Sequence, residues 1–192
     1  MHAATLNQRR GGPNASVRET GGVRYLTIVR HAKAEKATGQ LADYDRQLNE
    51  RGRRQCDALR AWATDSKQLG RYGPTTALVS AAARTRETFT RSFEGTGFVQ
   101  SVFFSELIYN GVHGVSAEDV LIDLAAVDPV TTSLLVVGHN PTVLDLLWTV
   151  GTGLPASLRE GYPLAGAFTL ELPDDQQIGL GPYPLVKSFV PD

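Results

Sequence analysis

Three short runs of the chain hold residues that could do chemistry on an anion: Arg30-His31, Ser80 through Arg84, and Gly138-His139-Asn140. Each follows an apolar, β-branched run that reads as a buried strand: "RYLTIVR" (24–30), "TTALVS" (75–80) and "SLLVVG" (133–138). Taken singly, each is weak. A lone strand-end histidine is more often structural than catalytic, and a lone arginine is usually a solvated surface group. Arg84 is odder, because a cation in the first turn of a helix opposes the helix dipole, although by only ~0.3–1 kcal/mol. The joint occurrence is what informs. If the three strands are parallel, their carboxyl ends share one edge, where open α/β sheets bind ligands. Two arginines and two histidines would then surround one point.

Arginine forks match phosphate oxygens in bidentate geometry. A helix amino end also favours an anion, and His139-Asn140-Pro141 opens a helical run. The cluster therefore reads as a phosphate site built from Arg30, Arg84, His139 and Asn140. Two neighbouring guanidinium groups disfavour protonation of His31, so its imidazole keeps a lone pair and can serve as a nucleophile toward phosphorus.

The rest of the sequence supplies the frame. "NERGRRQCDALRAWATDS" (49–66) reads as a helix with Asn49 as N-cap. "AAARTRETFTRSF" (81–93) follows, with Ser80 as its expected cap. "FVQSVFFSE" (98–106) reads as a third strand. "SAEDVLIDLAAV" (116–127) is a helix with a Ser116/Asp119 capping arrangement, ended by Asp128-Pro129. "PTVLDLLWTV" (141–150) is a helix with Gly151 just past its end. "GAFTLEL" (166–172) and "LVKSFV" (185–190) alternate and read as later or edge strands. Strand–helix alternation predicts an α/β protein: a three-layer α/β/α sandwich around a mostly parallel sheet.

The 192 residues suit one domain. Residues 1–23 are polar, glycine-rich and aperiodic, which reads as a flexible extension ahead of a domain spanning 24–192. With 19 basic and 20 acidic residues, the net charge of −1 gives no reason to expect nucleic acid or a membrane surface as partner. A single cysteine, Cys56, excludes an intramolecular disulfide and a cysteine-rich metal site, and its helical position reads as core. The chain has no apolar run of membrane-spanning length and no signal-peptide pattern, so a cytoplasmic location is expected. His2 and His113 lack metal-ligand partners at useful spacing. Neither GxxxxGK[ST] nor GxGxxG occurs, which removes the common nucleotide-binding motifs. Lys33 could extend the positive field. Asp43 and Asp45 could orient an arginine, but read more simply as loop residues.

Four segments in order, "VRHAKAE", "DYDRQLNERGRRQ", "SAAARTRET" and "VVGHNP", resemble the histidine phosphatase superfamily, and most closely its small phosphohistidine phosphatase branch. The resemblance implies a phosphoglycerate-mutase-like fold. It implies His31 as the residue that becomes phosphorylated, with Arg30, Arg84 and His139 on the phosphoryl oxygens. It also implies an acidic proton donor after the third strand, where Glu106 stands, and neither metal nor cofactor. The sequence departs from the pattern at Ala32 (glycine across much of the superfamily), Ala81 (often proline) and Gln47 with Asn49 in place of the branch's proline and threonine. The implied substrate is phosphohistidine on a partner protein, or alternatively a small phosphomonoester such as a sugar phosphate. A mutase fits less well, since no enclosed second phosphate site is evident. A non-catalytic phosphate-binding module would not need two histidines. Oligomeric state is not encoded in any visible motif.

Overall fold

Apolar, β-branched runs bounded by charge and glycine become the strands at the centre of the computed structural model, which describes residues 24–38, 42–65, 69–72, 75–109, 114–127, 131–172, 178 and 181–192. The expected extension 1–23, the 128–129 helix stop and His113 lie outside these residues. The elements run β1 (Arg24–Arg30), α1 (Glu50–Thr64), β2 (Thr75–Ser80), α2 (Ala83–Ser92), β3 (Val99–Ser105), α3 (Ala117–Ala125), β4 (Ser133–Gly138), α4 (Thr142–Val150), the two-residue β5 (Gly151–Thr152), β6 (Ala167–Leu172) and β7 (Tyr183–Phe189).

The strands form one sheet in the order β3-β2-β4-β1-β6-β7-β5. β1, β2, β3 and β4 pair in parallel. β6 runs antiparallel to both of its neighbours, β1 and β7. The sheet is thus mostly parallel. One face buries Leu26, Ile28, Leu134 and Val136 against α3 and α4, through Val120, Leu124, Leu146 and Leu147. The other buries Val29, Ala77, Val79 and Val137 under α1 and α2, through Leu59, Phe89 and Phe93. Alternate side chains of a strand point to opposite faces, so a strand covered by helices on both sides must be apolar throughout. This is why β4 is buried at every position. The result is the three-layer α/β/α sandwich.

Helix ends follow local chemistry. Asn49 Oδ1 accepts from Gly52 N at 3.0 Å. Ser116 and Asp119 form a full capping box, and Gly151 follows α4. Cys56 is fully buried in the core, where burial pushes its thiol up to about 11, in keeping with a packing role.

One expectation is corrected and one is narrowed. Ser80 does not cap α2. That helix starts at Ala83 after Ala82, with no side-chain cap, and Ser80 ends β2 with its hydroxyl committed elsewhere. β6 is not an edge strand, for it lies between β1 and β7 and is buried at five of its six positions. Its polar Thr169 is matched across the ladder by Thr27, with the two hydroxyl oxygens 3.0 Å apart.

Candidate active site

Parallel register places the carboxyl ends of β1, β2 and β4 on one edge. Arg30 pairs with Gly138, and Val79 with Val137. The chain beyond β1 is pinned there, since His31 N donates to Gly138 O at 3.0 Å. A cavity of about 360 Å³ opens at this edge, lined by Arg30, His31, Lys33, Ala34, Asp43, Arg46, Arg84, His139, Asn140 and Leu164. Arg30, His31, Arg84, His139 and Asn140 therefore meet at one point, although up to 110 positions separate them.

His31 is half-buried, and its Nδ1 lies 2.7 Å from the carbonyl oxygen of Ala32. A carbonyl can only accept, so Nδ1 carries the proton and Nε2 holds the lone pair. Burial, then the charges of Arg84, Arg30 and Arg46, lower its pKa to about 3 against the opposing pull of the Ala32 carbonyl. The imidazole is thus neutral at ordinary pH. The ring of His139 is buried, with its centroid 5.1 Å from that of His31. Its Nε2 is 2.8 Å from Ser80 Oγ. Burial, the neighbouring His31 and Arg84 hold its pKa near 2.

The arginines are fixed by backbone and by carboxylate. Arg30 Nη1 donates to Tyr162 O at 2.5 Å. Burial lowers its pKa from the usual value. Arg84, on the first turn of α2, donates Nη1 to Asp43 O at 2.6 Å and Nη2 to Asp43 Oδ2 at 2.9 Å. Thr88, one turn further along α2, donates to Arg84 O and accepts from Ala32 N at 3.0 Å. One hydroxyl thus ties the Arg84 helix to the His31 loop. Arg30 Nε, Arg84 Nε and His139 Nδ1 are buried with no hydrogen-bond partner among the described residues. Buried nitrogens left unpaired cost about 1–3 kcal/mol each. Three of them on residues that line one cationic cavity suit an anion rich in acceptor oxygens.

Asp43 sits in this field. Burial pushes its carboxyl up, but hydrogen bonds from Arg46 and Tyr109 and the charges of Arg84 and Arg46 bring it down to about 2, so it is ionised. Its carboxylate pairs with both Arg84 and Arg46, so it is not a plain loop residue. Lys33 lines the cavity, as its reading as part of the positive field requires. Glu106 is placed differently. It follows β3, is exposed, accepts from Tyr44 O–H at 2.6 Å, and is not among the residues lining the cavity. Tyr44 meets Tyr109 edge-on, and Tyr109 meets His139, so Glu106 connects to the site through an aromatic rim.

Sequence reasoning missed Arg46 and the 161–166 loop. That loop supplies Leu164 to the cavity, Tyr162 O to Arg30, and Ala165 N, which donates to His31 O. Ala165 stands at a positive φ of 53°, rare for a residue with a Cβ. The grip comes from backbone atoms, so "GYPLAG" carries no side-chain signature of it. Arg46 lies within a quoted motif and had a visible signal in its spacing from Asp43.

No protein-family model matches the chain. Among curated proteins, the uncharacterized proteins MT1313 and Rv1276c, from two strains of Mycobacterium tuberculosis, are each 28% identical over 150 residues, covering 75% of this chain and 87% of theirs. Among solved structures, the candidate phosphohistidine phosphatase SixA of Nakamurella multipartitia matches with a TM-score of 0.69 at 25% identity, covering 88% of this chain and 97% of that one. The candidate SixA of Agrobacterium tumefaciens matches with a TM-score of 0.68 at 29% identity, covering 88% and 99%. The fold is that of these SixA structures, and the chain is similar to the histidine phosphatases over most of its length. The likeness covers nearly the whole length of the small SixA structures. Among the described residues, no helix is long and apolar enough to cross a membrane.

Proposed function

We propose that the protein removes phosphate from phosphohistidine on a partner protein, through a phosphorylated His31 and without a metal. The observation that carries this reading is the His31 tautomer. With Nδ1 held on the Ala32 carbonyl, the lone pair of Nε2 is the nucleophile. It attacks phosphorus in line, forming the Nε2–P bond as the bond to the leaving group breaks. Arg30 and Arg84 neutralise the phosphoryl oxygens. With the Ser80 hydroxyl donating to His139 Nε2, Nδ1 of His139 carries its proton toward the same oxygens. Water then attacks phospho-His31 and releases inorganic phosphate, and the imidazole returns to its starting tautomer.

The position of Glu106 supports this substrate over a phosphomonoester. An alkoxide leaving group needs a proton donor, whereas Glu106 stands off the cavity and Asp43 is ionised. A phosphohistidine that carries a proton on its distal ring nitrogen departs as neutral imidazole, whose conjugate acid has a pKa of ~6.5, and needs far less help. The similarity to candidate phosphohistidine phosphatases points the same way. The test is a turnover comparison of phosphohistidine proteins against sugar phosphates and other small monoesters, with and without chelator. High turnover on phosphohistidine, untouched by chelator, is expected. Preference for a sugar phosphate would overturn the substrate, and loss in chelator restored by a divalent cation would overturn the mechanism.

A further inference from the structure

We propose that Gln55 is a positioning residue for the reaction, holding the peptide plane that sets the tautomer of His31. One peptide unit, Ala32–Lys33, is engaged on both sides. Its carbonyl oxygen lies 2.7 Å from His31 Nδ1. Its N–H, on Lys33, donates to Gln55 Oε1 at 3.0 Å. Gln55 is buried, 5% exposed, and projects from α1. The same helix holds the next carbonyl, since Asn49 N donates to Lys33 O at 3.0 Å. Contact there is so close that a Cβ on Gly52 would stand 2.1 Å from that oxygen, so the loop cannot slide toward α1.

What the loop could still do is rotate the one peptide. Its two orientations have opposite consequences. As observed, the carbonyl faces Nδ1, Nδ1 keeps the proton, and Nε2 keeps the lone pair. Turned over, the N–H would face the ring, Nδ1 would become the acceptor, and the proton would move to Nε2, removing the nucleophile. The Gln55 amide oxygen accepts the Lys33 N–H, and a turned peptide would set carbonyl against oxygen unless the amide turned as well, so the pair favours the productive orientation. A peptide whose N–H is engaged is also a better acceptor at its carbonyl, which tightens the bond to Nδ1. The glutamine does not touch the reacting atoms. It acts through the backbone, as groups behind a histidine ligand do in metal sites.

This rests on His31 as nucleophile, and the test separates the two. Nitrogen NMR of the resting protein reads the His31 tautomer without any substrate, and steady-state kinetics follow on the same samples. Gln55→Leu keeps the volume and removes the acceptor, while Gln55→Glu restores an acceptor oxygen. In the unmutated protein His31 is expected as the Nδ1–H form. In Gln55→Leu the Nε2–H form should appear, with kcat lower by up to about 100-fold and KM within about 3-fold. Gln55→Glu should recover the Nδ1–H form and most of kcat. A folded Gln55→Leu with an unchanged tautomer and kcat would overturn the proposal. If Gln55→Leu does not fold, a folded Gln55→Glu lacking the Nδ1–H form would do so. Full activity in His31→Ala would instead overturn the nucleophile reading, whatever Gln55 does.

Discussion

Arg84 gives both of its terminal nitrogens to Asp43, one to the backbone carbonyl and one to the carboxylate. The guanidinium edge that a phosphoryl group would use is therefore held by an internal anion, which Arg46 and Tyr109 also bind. A phosphoryl group must compete with this contact. Asp43 is half exposed, so its hold is worth up to about 1 kcal/mol. Asp43→Asn should lower the inhibition constant of vanadate by roughly fivefold, measured by competition at constant pH. A weaker vanadate affinity would show that Asp43 chiefly organises the site.

Arg84 itself should matter far more. It is buried, and Thr88 links its helix to the His31 loop. Arg84→Ala should cost about 3–4 kcal/mol of transition-state stabilisation, on the order of 10²–10³ in kcat. Arg84→Lys should restore little, since a point charge cannot reproduce the fork. A loss below tenfold, read from single-turnover rates, would remove Arg84 from the phosphoryl oxygens.

Both site histidines have folded pKa values far below 6.5, at about 3 for His31 and about 2 for His139, chiefly through burial. Below pH 6.5 the unfolded chain takes up protons that the folded protein refuses. Stability should therefore fall with acidification, from about pH 6.5 toward pH 3, by at most ~1.4 kcal/mol per pH unit for each histidine. Melting temperature across pH 7 to 4.5 checks this. His139→Gln should flatten part of the slope, and ring titration of either histidine between pH 5 and 8 would contradict it.

The frame was legible where burial is two-sided. β1, β2 and β4 could be read directly, because helices on both faces demand unbroken apolar runs. Their shared polarity then implied the meeting of Arg30, Arg84 and His139. β6 reads only as a later or edge strand because Thr169 and Glu171 make it look half-solvated. Thr169 is satisfied by Thr27, 142 positions away, a pairing no local pattern reveals. Ser80 had the composition of a cap, yet its hydroxyl serves His139 across 59 positions. Asp43 looked like a loop residue because its partners, Arg84 and Tyr109, come from α2 and the segment after β3. Backbone contacts such as Tyr162 O to Arg30 leave no trace in residue type.

Glu106 separates the substrates. In a monoesterase that relies on it as proton donor, Glu106→Gln should cost roughly 10²–10⁴ in rate. With phosphohistidine the leaving imidazole needs little assistance, and Glu106 stands outside the cavity on Tyr44. Glu106→Gln should then slow phosphohistidine turnover by less than about threefold, whereas a loss of roughly 10²–10⁴ on a monoester would place Glu106 at the leaving oxygen and favour the monoester reading. Severe and equal losses on both substrates would defeat the leaving-group explanation.

The central claim is that His31 Nε2 takes the phosphoryl group, and rapid quench with radiolabelled substrate addresses it most directly. Label should appear on the protein within one turnover, survive base, disappear in acid, and map to His31. His31→Ala should carry no label and show no turnover, while melting like the unmutated protein. Turnover by His31→Ala at the unmutated rate, or label on another residue, would contradict the mechanism.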